Sequence, residues 1–146
     1  MKFLRLLPEQ IMAHWEGIKN CVWNALPPIT YDSDETILRV QERLLTGRMQ
    51  CWIAAEDLNS VIIYAIATTQ IIVDDISGEK NLLIFSLATL VDHPASLWEE
   101  AYEVLKRFAA SRGCLKIVAY TCVPQVVLIA ERLGARIDWR YLQFPI

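Results

Sequence analysis

The stretch that decides the fold is a pair of apolar segments, residues 61–73 (VIIYAIATTQIIV) and 81–89 (NLLIFSLAT), joined by the turn DDISGEK. Both segments are rich in β-branched residues, which favour strands. The first is apolar almost throughout, as is typical of a central strand that is buried on both faces. Ser77 and Gly78 in the connection favour a hairpin turn. We therefore predict two antiparallel neighbours at the centre of a sheet.

Outward from this hairpin, strand and helix signals alternate along the rest of the chain. Apolar residues at helical spacing, with proline or capping residues before them and glycine or proline after them, mark four helices. We expect Asp32 to cap the second helix, and Asp92 or His93 to cap the third. The further predicted strands are 3–7, 50–55, 115–121 and 136–144, and the predicted helices are 8–26, 32–47, 94–112 and 124–134.

This order of elements predicts the α/β (α+β) class: a mixed, mostly antiparallel sheet with helices on both faces. The length of 146 residues suits a single domain, residues 1–146, with one continuous core. Hydrophobic residues make up 54% of the chain and charged residues 21%. That surplus of apolar residues raises the alternative that some apolar surface meets another chain.

Charge and hydropathy exclude several kinds of partner. The net charge is −3 and the 14 basic residues are scattered, so no nucleic-acid-binding face is expected. The apolar run at residues 61–73 is interrupted by Thr68, Thr69 and Gln70, and it is shorter than the roughly 20 residues that a bilayer span needs. We therefore expect no membrane contact and a protein that is cytoplasmic when synthesised.

The four cysteines carry no metal-binding pattern. They stand at positions 21, 51, 114 and 122, without a Cys-x-x-Cys pair, and the two histidines add no ligand spacing. Three of them, Cys51, Cys114 and Cys122, lie in or beside apolar runs, which is typical of buried free thiols in a reducing compartment. No metal site is predicted.

The order strand, helix, helix, three strands, helix, strand, helix, strand resembles that of the GCN5-related N-acetyltransferase (GNAT) superfamily over essentially the whole chain. The most specific part is the half from residue 94 onward, where 126–135 (VVLIAERLGA) is similar in spacing to the closing segment of the family. The resemblance implies a coenzyme A site between the fourth strand and the third helix. Members hold the pyrophosphate there on backbone N–H groups of a glycine-rich loop.

The residues that carry the family's chemistry are replaced in this sequence. The loop 89–96 (TLVDHPAS) has no glycine and no cationic residue. Pro94 has no N–H to offer, and the carboxylate of Asp92 repels phosphate. The family's asparagine and tyrosine positions fall at about Val123 and Ala130, and neither side chain can transfer a proton. The resemblance thus predicts the fold while arguing against the usual activity.

Other residues could take over catalysis if the chain is an enzyme. Glu56, at a strand end, is the best candidate for the general base, and its alternative role is that of a solvated carboxylate before a turn. Tyr120, at the end of the fifth strand, is the best candidate for the general acid, and its alternative role is core packing. A lone histidine such as His93 is more often a cap or a surface residue than a base. The candidates for holding acetyl-CoA are Leu90, Val91 and Ser96.

A second resemblance points to a different class of function. Residues 44–52 (LLTGRMQCW) and the long hairpin look similar to GNAT-like proteins encoded among bacteriophage virion genes, several of which lack the coenzyme loop. We therefore expect a non-catalytic GNAT-fold protein that acts through protein–protein contacts, as a bacteriophage virion or assembly component, with no cofactor. The alternative is a divergent N-acetyltransferase that uses acetyl-CoA.

Several apolar residues are candidates for contact with other chains, in a homo-oligomer or a virion assembly. Trp23 and Trp98 fall off the buried stripes of their helices, and tryptophan is enriched at interaction hot spots. Phe144 and Ile146 belong to an apolar stretch that Pro145 prevents from continuing as a strand. These four residues form the predicted interface.

Overall fold

The computed structural model describes residues 1–60 and 62–146, and its described elements form one five-stranded sheet with helices around it. The strands are β1 (Lys2–Arg5), β2 (Met49–Ala55), β3 (Ile63–Val73), β4 (Lys80–Thr89) and β5 (Lys116–Ala119). The helices are α1 (Pro8–Ala13), α2 (Trp15–Asn24), α3 (Asp34–Thr46), α4 (Ser96–Ser111) and α5 (Pro124–Arg132). The strands are ordered β1-β2-β3-β4-β5. Neighbours are antiparallel from β1 to β4, and β5 is parallel to β4.

Helices pack on both faces of this sheet, because β2 contributes alternate residues to two separate cores. Cys51 and Ile53 belong to the core beneath α1, α2 and α3, whereas Trp52 and Ala54 belong to the core beneath α4. Successive side chains of a strand point to opposite faces, so the two cores lie on opposite sides of the sheet. The predicted fold class, with its mostly antiparallel mixed sheet, is confirmed.

The predicted helix 8–26 is two helices, α1 and α2. The chain bends at His14, whose φ of −114° and ψ of 19° lie outside the helical range, and α2 ends at Asn24. Ile11 and Ile18, one on each helix, are each only 1% exposed. The bend thus keeps an isoleucine of both helices in the same core. None of the helices among the described residues is long and apolar enough to cross a bilayer.

Two predicted helix caps are wrong. Ser33, and not Asp32, caps α3, because its hydroxyl accepts a hydrogen bond from the Thr36 N–H at 3.2 Å. Helix α4 begins at Ser96 with Ala95 in the capping position, which has no side-chain acceptor. The earlier residues Asp92 and His93 therefore do not cap it.

The predicted strand 136–144 is not formed. Residues 136–146 contain neither helix nor strand, and every one of them is exposed. Strand pairing needs a neighbouring backbone edge, and no backbone hydrogen bond joins these residues to the described part of the chain. Of the predicted strand 61–73, residue 61 lies outside the described residues, and β3 begins at Ile63.

Candidate functional site

A β-bulge interrupts β4 at Phe85. Consecutive residues of β3, Thr68 and Thr69, pair with Ser86 and Ile84, so Phe85 is an extra residue on β4. A bulge of this kind bends the strand and increases its local twist. It is a common device for redirecting a strand next to a functional site.

Strands β4 and β5 part at this bulge. Their parallel pairing runs from Asn81 with Lys116 to Ile84 with Ala119 and goes no further. The rest of β4, residues 86–89, stays paired with β3 on its other side. The edge of β4 that faces away from β3 is therefore open after Ile84, among the residues that the structure describes. An open strand edge offers backbone N–H and C=O groups to a ligand that contains amides.

The open edge leads directly into the loop before α4. The Leu90 N–H donates to the Tyr64 carbonyl at 2.8 Å, which anchors the first residue of the loop on β3. Beyond it, several backbone N–H groups have no acceptor within the described ranges 1–60 and 62–146. These N–H groups belong to Val91, Asp92, His93, Ala95 and Ser96.

Three of these amides, those of Val91, Asp92 and His93, belong to residues that line a depression of about 530 Å³. The other two, those of Ala95 and Ser96, lie at the N-terminal cap and the first residue of α4, a helix of 16 residues, where the helix dipole favours negative charge. Free N–H groups in this position fit a phosphate group. Asp92 does not fit it, because its carboxylate is exposed in the same loop and no lysine or arginine lies between residues 81 and 105 to offset it.

His93 is held against the beginning of α4. Its ring packs edge-on against Trp98 with the centroids 5.3 Å apart, and its Nδ1 lies 3.2 Å from the Pro94 carbonyl oxygen. Trp98, a predicted interface residue, thus has a partner within its own chain and is half-buried. The contact fixes the position of His93 relative to the beginning of α4.

Glu56 follows β2 and is engaged in two polar contacts. Its carboxylate lies 3.0 Å from the amino group of Met1 and accepts a hydrogen bond from the Tyr64 hydroxyl at 3.2 Å. The hydrogen bond and the positive charge of that amino group hold the pKa of Glu56 below its ordinary value. A lowered pKa makes a carboxylate a weaker proton acceptor, so these contacts oppose the role of general base. That role stays a prediction.

Tyr120 stands where β4 and β5 part, because it directly follows Ala119, the last paired residue of β5. Its side chain is 44% exposed and packs edge-on against the ring of Tyr141, with the centroids 6.0 Å apart. The hydroxyl of a tyrosine in this position can donate a proton to a group bound between the strands. Its role as general acid likewise stays a prediction.

The cysteines differ sharply in accessibility. Cys51 is fully buried, and burial raises the pKa of its thiol to about 12, so it is not a nucleophile near neutral pH. Cys122, which the sequence indicated as buried, is exposed instead, because it lies beyond the end of β5. The described residues contain no cluster of histidine, cysteine or carboxylate groups that could hold a metal ion.

A buried polar network supports the sheet beside the bulge. The hydroxyls of Thr68 and Ser86 lie 2.5 Å apart across β3 and β4. On the next pair of strands, the Thr69 hydroxyl donates to Gln50 Oε1 at 2.7 Å and accepts from Trp52 Nε1 at 2.9 Å. Because these buried groups are satisfied, they fix the register of the strands that carry the site.

Two residues that shape the site could not be recognised from the sequence. Phe85 looks like any other apolar residue of its strand, since a bulge depends on the register of the neighbouring strand. Tyr64 links the site through its backbone carbonyl to Leu90 and through its hydroxyl to Glu56. Its position in the long apolar run favoured simple packing.

The remaining predicted interface residues are exposed to different extents. Trp23 is 39% exposed on α2, whereas Phe144 and Ile146 lie fully open in the segment that forms no strand. Exposure is compatible with a contact to another chain, and that contact stays a prediction.

Comparison with solved structures identifies the fold. The aminoglycoside acetyltransferase AAC(6')-Iy, solved with a bisubstrate analogue of coenzyme A, matches with a TM-score of 0.71 and 14% identity, covering 99% of this chain and 97% of that one. The ribosomal-protein-alanine N-acetyltransferase of Brucella melitensis matches with a TM-score of 0.68 and 14% identity, over 100% of both chains. A predicted acetyltransferase of Clostridium acetobutylicum, solved with acetyl-CoA, matches with a TM-score of 0.70 and 16% identity, over 99% and 95%. No protein-family model and no curated protein matches the sequence.

These matches contradict the sequence-based prediction of a non-catalytic virion or assembly component. The matching structures are those of acetyltransferases, and each match covers nearly all of both chains. This favours the alternative that the sequence left open, a divergent N-acetyltransferase. The resemblance to phage proteins finds no support among them. At this level of identity the likeness establishes the architecture, and the chain has the fold of the GNAT acetyltransferases.

Proposed function

We propose that this protein is a divergent N-acetyltransferase that uses acetyl-CoA. The observation that carries the proposal is the parting of β4 from β5 at the Phe85 bulge, which opens one edge of β4. That edge continues into the N–H groups of the loop before α4, from Val91 to Ser96. The pantetheine arm of coenzyme A contains amides that suit the edge, and its pyrophosphate suits the N–H groups.

The site provides positions for both partners of an acyl transfer. In such a reaction the acceptor amine forms a bond to the acetyl carbon, the bond from that carbon to sulfur breaks, and the departing thiolate takes up a proton. Tyr120, beside the opening between the strands, is the candidate to supply that proton. Glu56 is the weaker candidate for receiving the proton of the amine, since its pKa is lowered by its contacts.

Calorimetric titration with acetyl-CoA, using the whole chain, tests the cofactor site. We expect a dissociation constant below roughly 100 μM, which corresponds to about −5.5 kcal/mol. Val91→Pro removes one of the N–H groups assigned to the phosphates, and we expect it to weaken binding at least about fivefold, the loss of one hydrogen bond of about 1 kcal/mol.

Val91→Ala is the matched control, because it shortens the same side chain and keeps the N–H group. It should bind acetyl-CoA like the unchanged protein. Absence of binding at millimolar acetyl-CoA would refute the proposal, as would equal effects of the two substitutions. Transfer itself is measured as release of free thiol in the presence of small amines and of peptides with a free amino group.

A further inference from the structure

A cavity of about 740 Å³ lies between the bend that joins α1 to α2 and the sheet. Both helices line it, together with Ile53 of β2 and Ile66 of β3, which belong to the core beneath these helices. Its size is typical of sites for small molecules. Among the described residues it shares only Leu90 with the depression at residues 89–93. Because Leu90 directly follows β4, the cavity reaches the point where the open edge of β4 passes into the loop before α4.

Gly17 lines this cavity and has no backbone reason to be a glycine. The other four glycines, Gly47, Gly78, Gly113 and Gly134, have φ angles between 74° and 94°, a range that favours glycine. Gly17 lies inside α2 without a positive φ, and a Cβ added to it would meet no atom within 4 Å. A glycine inside a helix lowers the stability of the helix relative to alanine. The missing side chain leaves room in the wall of the cavity, which indicates that a ligand uses this room.

The lining of the cavity is mostly apolar. Ile18, Ile53 and Ile66 form part of its inner wall and are each no more than 5% exposed. Glu16 is the one carboxylate among the described lining residues, which include no lysine or arginine. A surface of this kind fits a ligand that carries a single ammonium group on an apolar body.

The same lining disfavours two other kinds of amine. A free amino acid would place its carboxylate in a cavity that offers no cation to pair with it. A polyamine would bring several ammonium groups to one carboxylate. An unpaired charge that leaves water for an apolar wall is costly. The cavity therefore selects against both.

We propose that this cavity holds the acceptor of the acetyl group, and that the acceptor is a primary amine on one apolar group with no carboxylate beside it. The role as acceptor rests on the proposed acetyl transfer, whereas the chemistry of the ligand rests on the cavity alone. Glu16 pairs with the ammonium group, and the isoleucines contact the apolar group in the space that Gly17 leaves open. Such amines occur as free arylalkylamines and at the amino terminus of a peptide whose first residue is apolar.

The reaction then balances without a further reactant. One proton of the ammonium group passes to water, and the nitrogen forms a bond to the acetyl carbon as the bond from that carbon to sulfur breaks. The nitrogen loses a second proton, and this loss balances the proton that the departing thiolate takes up. The products are an amide and free coenzyme A.

Calorimetric titration of the whole chain with phenylethylamine tests the cavity, and we expect a dissociation constant below roughly 1 mM. Phenylalanine adds only a carboxylate to this ligand, and diaminopentane replaces its ring by a second amine. We expect each of them to bind at least about tenfold more weakly, because each brings a charge that the cavity does not pair.

Gly17→Leu places a side chain in the cavity, and it should weaken binding of phenylethylamine at least about tenfold while binding of acetyl-CoA is retained. The fold should be kept, since leucine favours a helix more than glycine does. Asn24→Leu is the matched control, because it adds a leucine to the exposed end of the same helix outside the cavity. Glu16→Gln should weaken binding of the amine about threefold, as expected for one exposed ion pair. Circular dichroism verifies that the variants stay folded.

Release of free thiol from acetyl-CoA separates the two sources of the amine, phenylethylamine and a tripeptide that begins with phenylalanine. Equal binding of phenylethylamine, phenylalanine and diaminopentane would overturn the inference, as would unchanged amine binding in Gly17→Leu. Selective binding without thiol release from either source, in a protein that binds acetyl-CoA, would overturn the role as acceptor. If the amine binds selectively while acetyl-CoA does not bind, the proposed function fails and the selectivity of the cavity stands.

Discussion

At the scale of single residues, one carboxylate distinguishes this site from a good phosphate site. Asp92 lies among the N–H groups of the loop before α4, and the nearby sequence contains no cation to compensate for it. Two unit charges about 4 Å apart in water repel by about 1 kcal/mol. The backbone therefore favours the pyrophosphate while this side chain opposes it, and binding of acetyl-CoA is expected to be weakened rather than abolished.

Asp92→Asn should strengthen binding of acetyl-CoA about fivefold, because it removes that repulsion and keeps the size of the side chain. The dissociation constant is measured by calorimetry at low and high salt, and the gain should shrink as salt screens the charge. Glu9→Gln, at the exposed start of α1, makes the same change in net charge elsewhere and should have no effect. A gain of similar size in the control, or no gain in Asp92→Asn, would show that the carboxylate points away from the phosphates.

At the scale of elements, α3 is held against the sheet by a narrow buried stripe. On α3 the buried residues are Ile37, Val40 and Leu44, whereas Leu38 is 63% exposed. Leu38 is exposed because the rotation of α3 about its axis turns this side chain away from the core. A stripe of apolar residues wider than the available core leaves one of them outside.

Leu44→Ala should therefore lower the free energy of unfolding by about 2–5 kcal/mol, because it leaves a cavity in a core position that is 2% exposed. Leu38→Ala makes the same chemical change on the exposed side of the same helix, and its effect should stay within about 0.5 kcal/mol. Urea denaturation followed by circular dichroism measures both. Equal losses in the two variants would mean that the helix is rotated relative to the described structure.

At the scale of the whole molecule, one carboxylate in a turn contributes to the dependence of stability on pH. Asp74 accepts hydrogen bonds from the Ser77 hydroxyl at 2.6 Å and from the N–H groups of Ile76 and Ser77 in the turn between β3 and β4. These hydrogen bonds lower the pKa of Asp74 below its ordinary value of 3.8. Since the folded pKa is the lower one, this contribution is fully present above the unfolded pKa and is lost as pH falls through the folded pKa.

As pH drops below the ordinary aspartate pKa of 3.8, we expect the stability of the unchanged protein to fall more steeply than that of Asp74→Asn, since the amide does not titrate. Unfolding midpoints in urea at several pH values provide the measurement. Asp75→Asn alters the adjacent residue, for which the described structure shows no such hydrogen bonds, and it should keep the steep fall. Parallel curves for all three proteins would rule out Asp74 as a source of acid sensitivity.

The sequence by itself determined the order of strands and helices from α3 to α5, because apolar periodicity and the placement of proline and glycine are local signals. It correctly predicted the central pair β3 and β4, the mixed sheet and the two helical layers. The cap at Ser33 and the break at His14 were missed, since the exact boundaries of helices depend on packing as well as on local preference.

Only the tertiary structure decided the site. At Phe85, β4 has one residue more than the paired stretch of β3, which makes the bulge. The register depends on how the two strands pair, and it cannot be read from the sequence of either strand alone. The pairing of β4 with β5 ends next to that bulge. The segment 136–146 has the alternation of a strand but makes no backbone hydrogen bond to the described part of the chain, and without interstrand hydrogen bonds the pattern alone does not form a strand.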